Sequence, residues 1–261
     1  MARRGLGAER VDRYKGPPTL AGLAVHELPP RPTYTAEEEA TWQLLYDRQR
    51  PRLARSACQP VLDGLDLAGF ESGRIPSLRT LSKNLDRLTG WRLERVAGLV
   101  AERPFFELVA TRRFPATDFI RRRADLDYTP APDLFHDQFG HVPLLTLPAF
   151  CQFFQRFGEA GRDANDADVA ALARIYWFTV EFGLIREQGA LRAFGAGLIS
   201  SIGELTHALS PGVTVHPFDL DAMAARPFVT TEIQTDYFEV PSFEALTHAF
   251  ERWARARGLL V

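Results

Sequence analysis

Cysteine is scarce in this 261-residue chain, with only Cys58 and Cys151. They form no CxxC pair and no spaced set, which excludes a disulfide scaffold and leaves them as small buried apolar side chains. Charge of one sign is also lacking: the net charge of −2 gives neither nucleic acid nor an anionic membrane a bulk electrostatic reason to bind. No apolar run is long and uninterrupted enough to span a bilayer. The basic N-terminus (Met1 to Arg10) is followed by no apolar stretch, so it is not a secretory signal. Internal repeats and Gly/Ser linkers are missing too. These absences predict a soluble, cytoplasmic protein, and 46% hydrophobic residues suffice to build one large core.

Residues 1–35 are rich in Arg, Gly and Pro and predict an extended or partly disordered arm, followed by one domain over 36–261. Thr35 with Glu37, Glu38 and Glu39 reads as a capped helix start, carrying Trp42, Leu45 and Tyr46 on one face and ending before Pro51. Further helices are predicted over 52–65, from Ser77 to Gly90, and over 148–160, 167–190, 202–209 and 243–257. Residues 91–97 alternate like a strand, and Phe105 to Ala110 look like a second extended or loop segment. Thr117 is expected to open a helical turn toward Arg121, and Phe228 to Val240 to form a hairpin. The fold class expected is mainly α with a small β component (α+β).

Chemistry concentrates in Pro132-Asp-Leu-Phe-His136-Asp-Gln-Phe-Gly140-His141-Val-Pro143. On an ideal helix, residues five apart are rotated by roughly 140° and cannot share a ligand. Pro132 and Asp133 suit a helix start, while Gly140 and Pro143 suit its end, so the spacing predicts a helix that stops at Gly140 and swings His141 back beside His136. Glu181 lies in an apolar helix whose neighbours at three and four positions are Trp177, Phe178, Leu184 and Ile185. A carboxylate buried there must be protonated, paired from afar, or bound to a metal. Two imidazoles and a carboxylate form the set that holds non-haem ferrous iron with one face open. Zinc is the competing ion, but its structural sites close with four ligands, usually including cysteine, and neither cysteine lies near this motif. His26, His207, His216 and His248 show no such constellation and read as structural or surface residues.

These segments resemble the catalytic domain of the tetrahydropterin-dependent aromatic amino acid hydroxylases. The resemblance rests on His136-Asp-Gln-Phe-Gly-His141-Val-Pro143 and Tyr176-Trp-Phe-Thr-Val-Glu181-Phe-Gly-Leu184. It extends to Val96-Ala-Gly98-Leu, Phe119-Ile-Arg121, Tyr128-Thr129-Pro130 and Ala193-Phe-Gly-Ala-Gly197-Leu-Ile-Ser200-Ser201. It runs in order from about residue 75 to 245 and is strongest toward the bacterial branch acting on phenylalanine, which is a bare catalytic domain. A monomer without the regulatory domain and tetramerisation helix of the animal enzymes is therefore implied.

The resemblance implies His136, His141 and Glu181 as iron ligands, and Gly98, Leu99, Phe105 and Asp137 at the tetrahydropterin, with Phe105 stacked on its ring. Asp137, which is Glu in the animal enzymes, would reach the pterin through water. Arg121 would pair bidentately with the substrate carboxylate. Thr129, Gly197 and Ser200 would hold the amino acid backbone, and Trp177 would pack on its ring. The implied activity is an iron(II) monooxygenase that converts L-phenylalanine to L-tyrosine with O2. Each residue has a plainer role available: Arg121 opens an Arg-Arg-Arg run of the solvated kind, Phe105 and Trp177 suit a core, and Ser200 or Ser201 suits a helix cap. Three further alternatives stand: the same chemistry on tryptophan or tyrosine, to which Thr230 in the segment Phe228–Thr231 points, a zinc hydrolase, and a non-catalytic binding protein. The complete ligand triad and Arg121 argue against the last.

Overall fold

The chain opens, in a computed structural model that describes residues 33–127, 132–230 and 232–261, with a capped helix. Residues 1–32 of the expected arm lie outside the described residues. The Thr35 hydroxyl accepts the Glu38 N–H at 3.2 Å, and the Glu38 carboxylate accepts the Thr35 N–H at 2.7 Å. This reciprocal pair starts α1 (Ala36–Ser56). Pro51 does not end it. The proline is exposed and costs only the bond to the Asp47 carbonyl, while Trp42, Leu45 and Leu53 bury the helix on either side. Tertiary packing thus carries one helix through a residue that predicts a break, and the second helix, α2 (Gln59–Ala68), starts later than expected.

Helix α3 (Leu78–Thr89) ends at a left-handed Gly90, as its pattern predicts. Strands β1 (Arg92–Arg95) and β2 (Arg113–Ala116) pair in parallel, Arg92 opposite Arg113. A parallel pair needs a crossover between its strands. That requirement explains α4 (Glu102–Ala110), where Phe105 to Ala110 are helical rather than extended. Short apolar runs of this kind fit both states by pattern alone. The turn expected at Thr117 is also absent; the first helical turn after β2 is Arg123–Asp125.

Helix α5 (Pro148–Arg162) is the central post, burying Phe150, Phe153, Phe154 and Phe157. Trp91 stacks on Phe154 at 5.3 Å, and Phe250 of α10 (Phe243–Ala256) meets Phe153 edge-on at 5.4 Å. The helix expected over 167–190 is shorter: α6 (Asp166–Tyr176) gives way to a wider π-helical turn at Trp177–Glu181. It is followed by a hairpin of β3 (Leu184–Glu187) and β4 (Ala190–Ala193) across Gln188 and Gly189, both with positive φ. Short helices α7 (Ala196–Ser200) and α8 (Ile202–Ala208) follow, then β5 (Thr214–Pro217) and α9 (Leu220–Ala225). The hairpin expected over 228–240 is instead one strand, β6 (Asp236–Val240), parallel to both β3 and β5 in a sheet ordered β4-β3-β6-β5. No helix among the described residues is long and apolar enough to cross a membrane.

One buried group goes against this packing. Gln138 is fully buried, and neither of its amide atoms has a hydrogen-bond partner among the described residues. An unpaired buried amide costs on the order of 1–3 kcal/mol. Gln138→Leu is expected to raise the free energy of unfolding by about that amount, read from the urea midpoint. An unchanged or lower midpoint would refute the unpaired state.

Candidate metal centre

The His136/His141 spacing is solved by widening the helix, not by ending it. Residues Phe135–His141 form a π-helix, in which hydrogen bonds step five residues and side chains five apart fall on one face. Beyond it, Val142 and Pro143 remain helical and lead into a tight turn at Leu144–Thr146, so neither Gly140 nor Pro143 stops the chain. Gly140 has a different reason to be glycine: a Cβ there would lie 2.9 Å from the Ala196 carbonyl oxygen. Its absence lets α7 come close enough to reach His136. At the other end Asp133 is the cap, accepting the His136 N–H at 3.1 Å.

Glu181 closes the second π-helical turn, whose five-residue step is completed by the Phe182 N–H bonding the Trp177 carbonyl at 2.9 Å. A Cβ on Gly195 would come within 2.3 Å of the Glu181 carbonyl oxygen, so only glycine allows the β4–α7 corner to pass behind the carboxylate.

These two turns bring three donor atoms together. The His136 and His141 Nε2 atoms are 3.1 Å apart, and Glu181 oxygens lie 3.5 and 3.3 Å from them. Among the described residues no other group of His, Cys, Asp and Glu forms such a cluster. Behind His136, its Nδ1 is 3.0 Å from the Ser200 Oγ, whose own hydroxyl donates to the Ala196 carbonyl at 2.8 Å. Ser200 can then only accept, so Nδ1 carries the proton and Nε2 points a lone pair at the cluster. Burial opposes the ionised Glu181, but His141 and His136 in their protonated form outweigh it and hold this carboxyl far below the usual range; a divalent cation would replace those ring protons as the charge that Glu181 pairs with. An anion and converging lone pairs are what a divalent cation satisfies, and two nitrogens with one oxygen suit iron.

The cluster lies against an apolar cavity of about 310 Å³. Gly98, Leu99, Phe105, Asp137 and Trp177 line this cavity, together with Tyr176 and Phe228. Phe105 meets Tyr176 edge-on at 5.5 Å. Asp137 is fixed by the Thr117 N–H and hydroxyl, at 2.8 and 2.7 Å, both on Oδ2; burial pushes its carboxyl up despite them. Trp177 stacks on Phe228 at 4.4 Å and 13°.

The remaining expected residues stand elsewhere. Arg121 is buried, unlike its exposed neighbours Arg122 and Arg123, and its Nε and Nη2 form a fork on Asp133 at 2.9 and 2.8 Å. Ser200 and Gly197 are behind the His136, His141 and Glu181 cluster, not on the cavity wall; Gly197 packs against the Glu181 carbonyl and the Phe182 ring. Thr129 lies outside the described residues. Asp133, Thr117 and Gln234 were not visible as site residues in the sequence. Only Asp133 carried a signal, since it stands three residues before His136 at capping distance.

Two outcomes follow from these polar contacts. Removing the Ser200 hydroxyl frees the His136 tautomer, so Ser200→Ala is expected to weaken ferrous ion binding by about 10–100-fold in a metal titration. Unchanged affinity would show that Ser200 does not set the ligand. Glu204 of α8 accepts the Gln234 N–H at 3.3 Å, and burial pushes its carboxyl from 4.5 up to about 7. Between those values the unfolded chain releases this proton while the folded protein keeps it, so the group's stability is complete below about 4.5 and lost as pH rises to about 7. Glu204→Gln is thus expected to stabilise the protein more at about pH 8 than at about pH 5 in denaturant titrations; a gain of the same size at both would contradict the raised value.

The chain matches the biopterin-dependent aromatic amino acid hydroxylase family over residues 24–258. It is 43% identical over 222 residues to phenylalanine-4-hydroxylase of Mesorhizobium japonicum, covering 84% of this chain and 80% of that one. It is 39% identical over 246 residues to tyrosine 3-monooxygenase of Canis lupus familiaris, covering 92% of this chain but 48% of the relative. Phenylalanine hydroxylase of Chromobacterium violaceum, with bound iron(III) and 7,8-dihydrobiopterin, superposes with a TM-score of 0.83 at 38% identity, over 88% of this chain and 85% of that one. With its fold, its two-histidine, one-carboxylate cluster and these matches, the chain belongs to the biopterin-dependent aromatic amino acid hydroxylases.

Proposed function

We propose that this protein is a phenylalanine 4-monooxygenase that uses non-haem iron(II) and a tetrahydropterin to convert L-phenylalanine to L-tyrosine with O2. The observation that carries this is the convergence of His136, His141 and Glu181 beside an apolar cavity, with the His136 tautomer set by Ser200. The bacterial phenylalanine hydroxylases among its relatives support phenylalanine as substrate. When bound, the iron and the pterin supply oxygen activation and the two electrons it needs.

The chain's own residues do the placing. His136, His141 and Glu181 would hold the ion, and all three face the cavity that substrate and O2 would enter. Gly98, Leu99 and Phe105 offer the pterin a flat apolar bed, with Phe105 half-buried and its edge held by Tyr176. Asp137, with both Thr117 bonds on Oδ2, keeps Oδ1 for a polar edge of the pterin. Trp177 and Phe228 form an aromatic wall for the substrate ring. Arg121 takes the substrate carboxylate, its guanidinium plane fixed by Asp133, and Thr129 helps hold the backbone of the amino acid. Ser200 and Gly197 serve the same site from behind, by holding His136 and Glu181. The low polarity of the cavity wall limits the water near the reacting groups.

Purified protein with ferrous iron, a tetrahydropterin and O2 is expected to form tyrosine from phenylalanine, and Glu181→Ala to lose both iron retention and turnover. Product without pterin, or wild-type turnover in Glu181→Ala, would sink the proposal. Hydroxylation of tyrosine or tryptophan in preference to phenylalanine would move the substrate assignment, as would the exposed Thr230 beside Phe228 proving to set it. Hydrolytic activity with zinc and no pterin would instead support the metallohydrolase alternative.

A further inference from the structure

Two buried glutamines mark opposite extremes of hydrogen bonding in this fold. Gln138 has neither amide atom paired among the described residues, whereas Gln234, only 7% exposed, has every polar group engaged. Its side-chain Oε1 accepts the Trp177 indole N–H at 2.9 Å, and its Nε2 donates to the Asp236 carbonyl at 2.7 Å. Its backbone N–H donates to Glu204 Oε2 at 3.3 Å, and its carbonyl accepts the Tyr237 hydroxyl at 2.6 Å. Gln234 does not itself line the cavity. It ties the start of β6 to the first residue of the turn that carries Glu181.

We infer that Gln234 is a positioning residue for substrate: it fixes the Trp177 indole as one face of the binding cavity and so sets the affinity for the aromatic ring. Phe228 and Phe182 contact Trp177 at 4.4 and 4.5 Å, but ring contacts of this kind let an indole slide in its own plane. The bond to Gln234 removes that freedom, because the indole nitrogen is a single donor with one direction. A glutamine anchored by three other hydrogen bonds has no conformational freedom left to lose when it holds that donor. The inference rests on the proposed action on an aromatic amino acid.

The test uses the iron-loaded full chain. Gln234→Met keeps the length and removes the amide; Gln234→Glu keeps an acceptor for the indole. The Trp177 indole N–H resonance is identified by its loss in Trp177→Phe. Gln234→Met is expected to shift that resonance and to raise KM for phenylalanine about ten-fold, the effect of one buried hydrogen bond, with a fall in kcat below about three-fold. Iron content should stay at the wild-type level, and Gln234→Glu should recover part of the KM. Adding Gln234→Met to Trp177→Phe should raise KM by less than about two-fold, since the partner is already gone. An unshifted indole resonance, a wild-type KM in Gln234→Met, or fully additive effects would overturn the inference. A wild-type protein that binds iron but turns over no aromatic amino acid would instead overturn the functional reading beneath it.

Discussion

A helical segment whose hydrogen bonds step five residues is what allows His136 and His141 to share a face, and the rest of the site is arranged around keeping it so. A π-helix is rare because its bonding geometry is poorer than that of an α-helix, so it persists where contacts outside the helix determine it. Here those contacts are specific. Asp133 caps its start, α7 presses into the gap left by Gly140, and Phe135 and Phe139 stack on one another at 4.7 Å on its far side. The same device recurs at Trp177–Glu181, where the Thr179 hydroxyl bonds back to the Ile175 carbonyl at 2.6 Å.

A second constraint is the low polarity of the surroundings. In such a setting an unpartnered polar group is expensive, and breaking a buried ion pair by removing one member costs about 3–5 kcal/mol. Most of the polar groups around the cluster accordingly have a partner on the side away from the cavity. Ser200 stands behind His136, Thr117 behind Asp137, and Asp133 behind both Arg121 and the His136 N–H. Asp133 stays ionised: burial would raise its carboxyl, but Arg121 overrides this and holds it low. The orientation of the donor atoms is therefore a property of the polypeptide.

Much of this was legible in the sequence where one local rule decided the outcome. Thr35 with its acidic first turn, the helix from Ser77 closed by Gly90, and the terminal helix α10 all formed as patterned. The clustering of His136, His141 and Glu181 was legible because residue types and isolation from local partners carry chemical meaning without coordinates. What failed did so where distant parts of the chain decide. Phe105 to Ala110 are helical because two strands far apart in sequence pair in parallel, and Pro51 sits inside a helix because Trp42 and Leu53 are both buried. The five-residue spacing predicts a helix end because Gly140 and Pro143 are stop signals in isolation; only the approach of Ala196 reveals Gly140 as a spacer. Gln138 and Gln234 are indistinguishable as letters, yet among the described residues one is unpaired and the other fully engaged.

The two π-helical turns also explain how the Trp177 wall and the Glu181 carboxylate are held in one backbone frame. Trp177 opens the second turn and Glu181 closes it, and the Phe182 N–H returns directly to the Trp177 carbonyl. The backbone position of the indole relative to the carboxylate is then set within one hydrogen-bonded turn, and movements of neighbouring helices shift both together. Asp137 is tied to the cluster in the same way, adjacent in sequence to His136 within the first turn. What local winding cannot set is the plane of each side chain, because rotation about its own bonds remains. That leftover freedom is what the distant clamps remove: Thr117 from β2's end for Asp137, Ser200 from α7 for His136, and Gln234 from the approach to β6 for Trp177. Local winding fixes where the groups are, and contacts distant in sequence fix which way they face.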